Sequence, residues 1–144
     1  MTGDTYWAQA NNSSAFVNEI LLHVSATADL REVVLACDWS WSLEKRLNVV
    51  KWLGKVSTHI RQVKSMGSMV ADLASLARGG IDVYFNSGQK PWDVAAVALL
   101  IEKAGGIVTT PAGAKWDVFQ PDILATNGIL HERILNLIGE RKDG

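Results

Sequence analysis

Along most of the chain, the pattern of hydrophobic and polar positions defines two kinds of segment. Short apolar segments are typical of β-strands, and longer segments have hydrophobic residues at helical spacing. Helices are predicted at 42–54, 68–78, 92–103 and 129–141, and strands at 33–37, 58–63, 81–85, 107–109 and 123–126. Gly54 suits the C-terminal cap of the first helix, and Gly79-Gly80 ends the second. Strands that alternate with helices predict an α/β fold in which helices cover a sheet.

The beginning of the chain lacks this alternation. Residues 5–8 and 15–17 are extended segments on either side of a turn-forming run, and residues 20–24 follow as another. Because no helix separates them, these strands predict an antiparallel sheet. We therefore divide the chain into an antiparallel strand segment at 1–37 and an α/β subdomain at 38–144.

The predicted helix at 92–103 is apolar at nearly every position, a pattern that indicates burial on all sides. Asp93 at its start is stabilised by the unpaired N–H groups and by the helix dipole. Capping the helix would account for this residue, and so would a role as a ligand of a hard metal ion at the edge of a cleft. One carboxylate does not make a Mg²⁺ site, which takes several oxygen ligands.

Gly67, Ser68 and Met69 open the helix that precedes it. The free N–H groups at the start of this helix and the Ser68 hydroxyl could bind a phosphate or a sugar hydroxyl. The alternative is that Ser68 only caps the helix. Most of the six tryptophans are expected in the core or at an interface, and Trp39 and Trp41 fit either a ligand mouth or an interface.

Composition narrows the classes of partner. The 144 residues are enough for one domain or for half of a larger one, and a net charge of -1 gives no attraction to nucleic acid or to a membrane surface. Cys37 ends an apolar run, which favours a buried structural thiol in a reducing compartment. The chain shows neither a signal peptide nor a membrane span, so a cytoplasmic location is the expectation.

The segment KPWDVAA at 90–96, with its Ala-Gly-Gly stop at 104–106, strongly resembles the C-terminal signature of the inositol monophosphatase family. The preceding residues 65–68 and 80–85 are similar to that family's approach to the signature. Residues 6–25 resemble its mid-chain hairpin, and residues 124–127 resemble its ending. The likeness covers almost the whole chain and implies the C-terminal part of a layered α/β phosphatase fold, a mixed sheet flanked by helices.

The resemblance also implies a reaction, the Mg²⁺-dependent hydrolysis of a phosphate monoester on a polyol or sugar. In that family, metal ions activate a water molecule and neutralise the leaving oxygen. Carried over by position, Asp93 is the metal ligand, and Gly67, Ser68 and Met69 meet the substrate hydroxyls. Asn86 stands at a position that is normally acidic and that binds the polyol.

Several positions depart from the family pattern. Asn86 replaces the usual Glu and keeps the capacity to hydrogen-bond. Val97 replaces a Gly and Met69 replaces an Ala, and both changes crowd the pocket. Residues 95–97 lack the Pro-Glu of nucleotide-directed relatives, which favours sugar or polyol phosphates. The family's upstream metal ligands, a Glu-Glu pair and an Asp-Pro-x-Asp-Gly-Thr run, do not occur in this sequence.

Two functional hypotheses follow, besides the chance that the signature belongs to an unrelated doubly wound binding protein. The first is the C-terminal portion of a phosphatase, which takes a small phosphorylated polyol or sugar and needs a complementing N-terminal half or a homo-oligomer. The second is a non-catalytic binding or assembly module derived from the same fold. With Asp93 as its one carried-over ligand, the chain alone should bind metal weakly, turn over negligibly and expose apolar surface.

Overall fold

The computed structural model describes residues 3–139 as two β-sheets with α-helices packed against them. The strands are β1 (Tyr6–Ala8), β2 (Ala15–Val17), β3 (Ile20–Leu21), β4 (Val34–Cys37), β5 (Gln62–Lys64), β6 (Val83–Ser87), β7 (Ile107–Thr109) and β8 (Asp122–Thr126). The helices are α1 (Leu43–Val56), α2 (Met69–Ala77), α3 (Pro91–Lys103) and α4 (His131–Ile138), with a 3-10 turn at Leu30–Glu32.

The first three strands form a small antiparallel sheet, as the sequence predicted for this segment. The other five form a second sheet in the order β5-β4-β6-β8-β7. In that sheet β4 runs parallel to β5 and β6, whereas β8 runs antiparallel to β6 and β7. The α/β fold class with a mixed sheet flanked by helices is therefore confirmed.

Side chains that alternate along β6 divide the core into two layers. Val83 and Phe85 point to the face covered by α1 and α4, where Trp52 is almost fully buried. Tyr84 points to the opposite face, where α2 and α3 pack and where the small sheet adds Ala15. Helix α3 thus lies between the two sheets, in contact with β1, β2 and β7.

Strand β4 was predicted correctly, but its placement in the antiparallel segment at 1–37 was wrong. It forms parallel ladders with β5 and β6, so it belongs to the mixed sheet. The subdivision at residue 38 into structural units remains a prediction. Sequence periodicity located this strand but carried no information on which distant strands it would pair with.

Several element ends also differ from prediction. Helix α1 continues past Gly54, and the N–H of Ser57 closes it on the Leu53 carbonyl. Strand β5 starts later than expected and β6 is displaced toward its carboxyl end, so that it includes Asn86. Helix α4 ends at Ile138 with Gly139 in the left-handed region, and the predicted extension to residue 141 lies outside the described residues.

Burial on every side of α3 was a wrong expectation. Val94, Val97 and Ile101 pack into the core, but Trp92 and Asp93 in the first turn are exposed because no described element covers that face. Most of the tryptophans, which were expected in the core or at an interface, are not in the core, and their place at an interface remains a prediction. The exposed ones are Trp7, Trp39, Trp41 and Trp92.

Candidate functional site

A cavity of about 370 Å³ opens at the carboxyl ends of three parallel strands. Its lining consists of Asp38, Trp39, Trp41, Ser65, Gly67, Met69 and Asn86. Asp38 directly follows β4 and Ser65 directly follows β5, while Asn86 lies near the end of β6. Neighbouring parallel strands end at the same edge of a sheet, so the topology itself brings these residues together. The edge therefore gathers Gly67, Met69 and Asn86, three of the residues that the resemblance assigned to the substrate.

The start of α2 forms one wall of this cavity. Gly67 has a φ of 71°, in the left-handed region that residues with a Cβ rarely adopt, so the turn into the helix favours glycine. Ser68 is the N-cap, and its Oγ accepts a hydrogen bond from the N–H of Ala71 at 3.4 Å. The Ser68 side chain caps the helix and does not line the cavity, whereas its neighbours Gly67 and Met69 do.

Asn86 is held in a fixed orientation beneath the cavity. Its Oδ1 accepts a hydrogen bond from the N–H of Ser87 at 2.8 Å, which leaves the Nδ2 group to point elsewhere. Nδ2 lies 3.9 Å from the sulfur of Met69, a weak acceptor. The Met69 side chain thus sits against the amide that the resemblance assigns to the polyol, while crowding of the pocket by Met69 remains a prediction.

The sequence interpretation missed Asp38. Its Oδ1 accepts a hydrogen bond from Ser65 Oγ at 3.0 Å and its Oδ2 accepts one from the Tyr84 hydroxyl at 3.2 Å. Because the Tyr84 hydroxyl is buried and adjoins Asp38, its pKa is raised and it stays a donor. The available signal was an acidic residue immediately after the apolar run of a predicted strand.

Asp72, in the first turn of α2, lies behind Asp38. It is fully buried, and its Oδ2 accepts a long hydrogen bond from the N–H of Met66 at 3.4 Å. Its Oδ1 has no hydrogen-bond partner among the described residues. Burial, followed by the nearby charge of Asp38, raises the pKa of the Asp72 carboxyl.

Asp93 is not among the residues that line this cavity and lies in the exposed first turn of α3. The loop before the helix is fixed, because the N–H groups of Gly88 and Gln89 both donate to the Pro121 carbonyl, at 2.7 and 3.2 Å. Residues 3–139 contain no group of three or more His, Cys, Asp or Glu side chains placed to hold a metal ion. Asp93 is therefore an exposed carboxylate that belongs to no such group in this part of the chain.

Trp39 and Trp41 form the rim that the cavity shares with a second one of about 420 Å³, which Ser40 and Arg46 also line. The guanidinium of Arg46 donates to the Ser40 carbonyl at 3.1 and 3.2 Å and stiffens this loop. Trp39 is 54% exposed and Trp41 is 97% exposed. Both indole rings can therefore pack against a ligand or against another chain.

Two other reactive side chains have structural positions. The thiol of Cys37 is buried, and burial together with the charge of Asp38 raises its pKa to about 11, as expected for an unreactive thiol. His131 is buried between the hydroxyls of Thr109 and Thr126, each 3.0 Å from a ring nitrogen. Neither lines the cavity.

The family model described as the inositol monophosphatase family matches residues 1–143. The chain belongs to this family. It is 33% identical over 137 residues to the inositol-1-monophosphatase of Caulobacter vibrioides, and the match covers 94% of this chain and 54% of that protein. It is also 33% identical over 125 residues to the chloroplastic phosphatase IMPL1 of Arabidopsis thaliana, which covers 86% of this chain and 34% of that protein.

Solved structures of the family share the fold. The inositol monophosphatase from Anabaena superposes with a TM-score of 0.86 at 28% identity, covering 96% of this chain and 55% of that one. The suhB protein from Bartonella henselae gives 0.86 at 26% identity, covering 98% and 53%. This member of the family thus spans about half the length of these structures. Among residues 3–139, no helix is long and apolar enough to cross a membrane.

Proposed function

We propose that this chain is the C-terminal portion of a Mg²⁺-dependent phosphomonoesterase of the inositol monophosphatase type, acting on a polyol or sugar phosphate. The observation that carries the proposal is the cavity at the strand ends, which gathers Gly67, Met69 and Asn86. Relatives named inositol-1-monophosphatase support the substrate class. We place the protein in the cytoplasm, without nucleic-acid or membrane partners, in keeping with its single cysteine and its net charge of -1.

In this proposal the substrate hydroxyls meet the wall formed by the start of α2 and the end of β6. The backbone N–H of Met69 belongs to the first turn of a capped helix, where it favours electron-rich oxygen, and Gly67 lies just before the cap. The Oδ1 of Asn86 is used by the N–H of Ser87, so its Nδ2 group remains to donate to a ligand oxygen. An amide donor in place of a carboxylate keeps a hydrogen bond while removing one negative charge from the pocket.

The metal site is the part that the described residues do not complete. Mg²⁺ takes oxygen ligands from carboxylates, water and substrate phosphate in a near-octahedral arrangement. Asp93 supplies one carboxylate, and residues 3–139 hold no cluster that adds others. We therefore propose that further acidic ligands come from a complementing N-terminal half or from another copy of the chain, and we derive no metal-dependent step from this chain alone.

The test is an assay of phosphate release from inositol 1-phosphate and from fructose 1,6-bisphosphate, with the chain alone and with the N-terminal half of the Caulobacter relative added. We expect negligible turnover from the chain alone and Mg²⁺-dependent turnover from the mixture. In the mixture, Asp93→Asn should raise the Mg²⁺ concentration for half-activity by about tenfold or more, because losing even an outer partner of a metal ligand costs about 10–100-fold.

Glu102→Gln is the matched control, because it removes one exposed charge near the other end of the same helix. It should leave the Mg²⁺ dependence unchanged. Robust turnover by the isolated chain that Asp93→Ala abolishes would contradict the incomplete site. Polyol phosphate binding without turnover in the mixture would favour the second hypothesis, a non-catalytic binding or assembly module.

A further inference from the structure

Asp38 presents an unfilled acceptor at the strand-end cavity. An ionised carboxylate offers roughly four lone-pair positions on its two oxygens. Ser65 takes one position on Oδ1, the Tyr84 hydroxyl takes one on Oδ2, and the buried carboxyl of Asp72 lies close to Asp38 on the side away from the cavity. Each oxygen therefore keeps acceptor capacity, and Asp38 lines the cavity.

The orientation of this carboxylate is set from both sides. Tyr84 is buried in the central strand β6, and its raised pKa keeps its hydroxyl a donor. Ser65 holds the other oxygen from the loop after β5. A side chain fixed in this way loses little rotamer entropy when it binds a ligand, which increases the affinity gained for each hydrogen bond.

Resting on the proposed function, we propose that Asp38 is a specificity-determining residue that accepts hydrogen bonds from two adjacent hydroxyl groups of the polyol, with Trp39 packed on its C–H face. The two carboxylate oxygens match the spacing of neighbouring hydroxyls on a carbon chain or ring. Trp39 follows Asp38 in sequence, lines the same cavity and keeps about half of its surface free. A carboxylate next to an indole face thus complements both the polar edge and the apolar face of a ring polyol.

A divalent cation is a poorer occupant of this position. No group of three acidic, histidine or cysteine side chains surrounds Asp38 among the described residues. The Ser65 and Tyr84 hydroxyls direct their protons at the carboxylate and occupy part of its acceptor capacity. Hydroxyl groups of a polyol, in contrast, can donate hydrogen bonds to the remaining acceptor positions of Asp38.

The experiment uses the full chain with myo-inositol, which carries neither phosphate nor metal, followed by backbone amide chemical shifts. We expect shifts that saturate and that centre on Asp38, Trp39 and Ser65. Asp38→Asn should weaken binding about tenfold or more, as hydrogen bonds to a charged acceptor are among the stronger ones. Trp39→Ala, at an exposed position that leaves the core intact, should weaken it about twofold to tenfold.

Glu102→Gln is again the charge-matched control and should bind myo-inositol like the unaltered chain. Cyclohexanol, with a single hydroxyl on a similar ring, should produce no saturating shifts. Equal binding by the unaltered chain, Asp38→Asn and Trp39→Ala would overturn the proposal, and so would the absence of saturating shifts at Asp38. Because this assay needs no turnover, its failure is distinct from failure of the phosphatase assay.

Discussion

The strand-end cavity and the start of α3 are built in different ways, although the family resemblance assigns both to one active site. At the cavity, three strands and helix α2 converge, and the side chains of Asp38 and Asn86 are held by defined hydrogen bonds. At the start of α3, Asp93 stands on an exposed turn with a fixed backbone and belongs to no group of three or more acidic, histidine or cysteine side chains among residues 3–139. The cavity is thus lined by side chains with fixed orientations, whereas the start of α3 presents an exposed carboxylate.

The residues beneath the cavity are also more deeply buried than those at the start of α3. Residues beneath the cavity, such as Tyr84, Asp72 and Leu73, are fully buried between α2 and the mixed sheet. Trp92, next to Asp93, is 76% exposed. Three measurements of stability test this contrast between the cavity and the start of α3.

The largest difference should appear when apolar side chains are truncated in each region. Leu73→Ala removes buried volume under the cavity and should lower the free energy of unfolding by about 2–5 kcal/mol. Trp92→Ala removes an exposed ring whose main described contact is the Lys90 ammonium, 5.5 Å from the ring centroid, and should cost about 1 kcal/mol or less. Urea titrations of both variants test this. Similar losses in the two variants would mean that the start of α3 is buried in solution.

The second prediction concerns the pH dependence that Asp72 imposes on the cavity wall. Its pKa is raised in the folded state above the ordinary value of 3.8, because the buried carboxyl lacks solvation. The folded state then holds this proton more tightly than the unfolded state, so Asp72 reduces stability as pH rises from about 3.8 through the folded pKa. Asp72→Asn should remove that decline.

The measurement is the free energy of unfolding of both proteins across acidic and neutral pH. The other carboxylates are common to both proteins, so the difference between the two curves reports Asp72. We expect the variant to gain stability relative to the unaltered chain with rising pH. A difference that stays constant over the whole range would show that folding does not raise the pKa of Asp72.

The smallest effect should come from the helix caps. Ser68 caps α2 through the N–H of Ala71, whereas Lys90 at the start of α3 makes no side-chain cap bond. Ser68→Ala should therefore cost about 1 kcal/mol of stability. Ser42→Ala is the matched control, since Ser42 occupies the N-cap of α1 without a side-chain cap bond and should cost distinctly less. If thermal unfolding shows the same loss of stability for both variants, the Ser68 side chain does not stabilise α2 as a cap.

Local patterns in the sequence predicted several elements of the fold correctly. The periodicity of residues 68–78 predicted α2 to within a residue at each end, because the Ser68 cap and the glycines after the helix are local signals. The hairpin of β1 and β2 was equally readable from its turn residues. The signature around Asp93 identified the family from a short stretch, and the match to residues 1–143 confirmed it.

Long-range contacts account for what the sequence did not show. The α/β alternation, the family and the choice of Asp93 as the candidate ligand could be inferred from the sequence. Three features became visible only in the folded chain: β4 joins the mixed sheet, Asp38 and Ser65 line one cavity with Asn86, and the first turn of α3 is exposed. Periodicity depends on neighbours along the chain, whereas strand order and burial depend on hydrogen bonds and packing between segments that are distant in sequence.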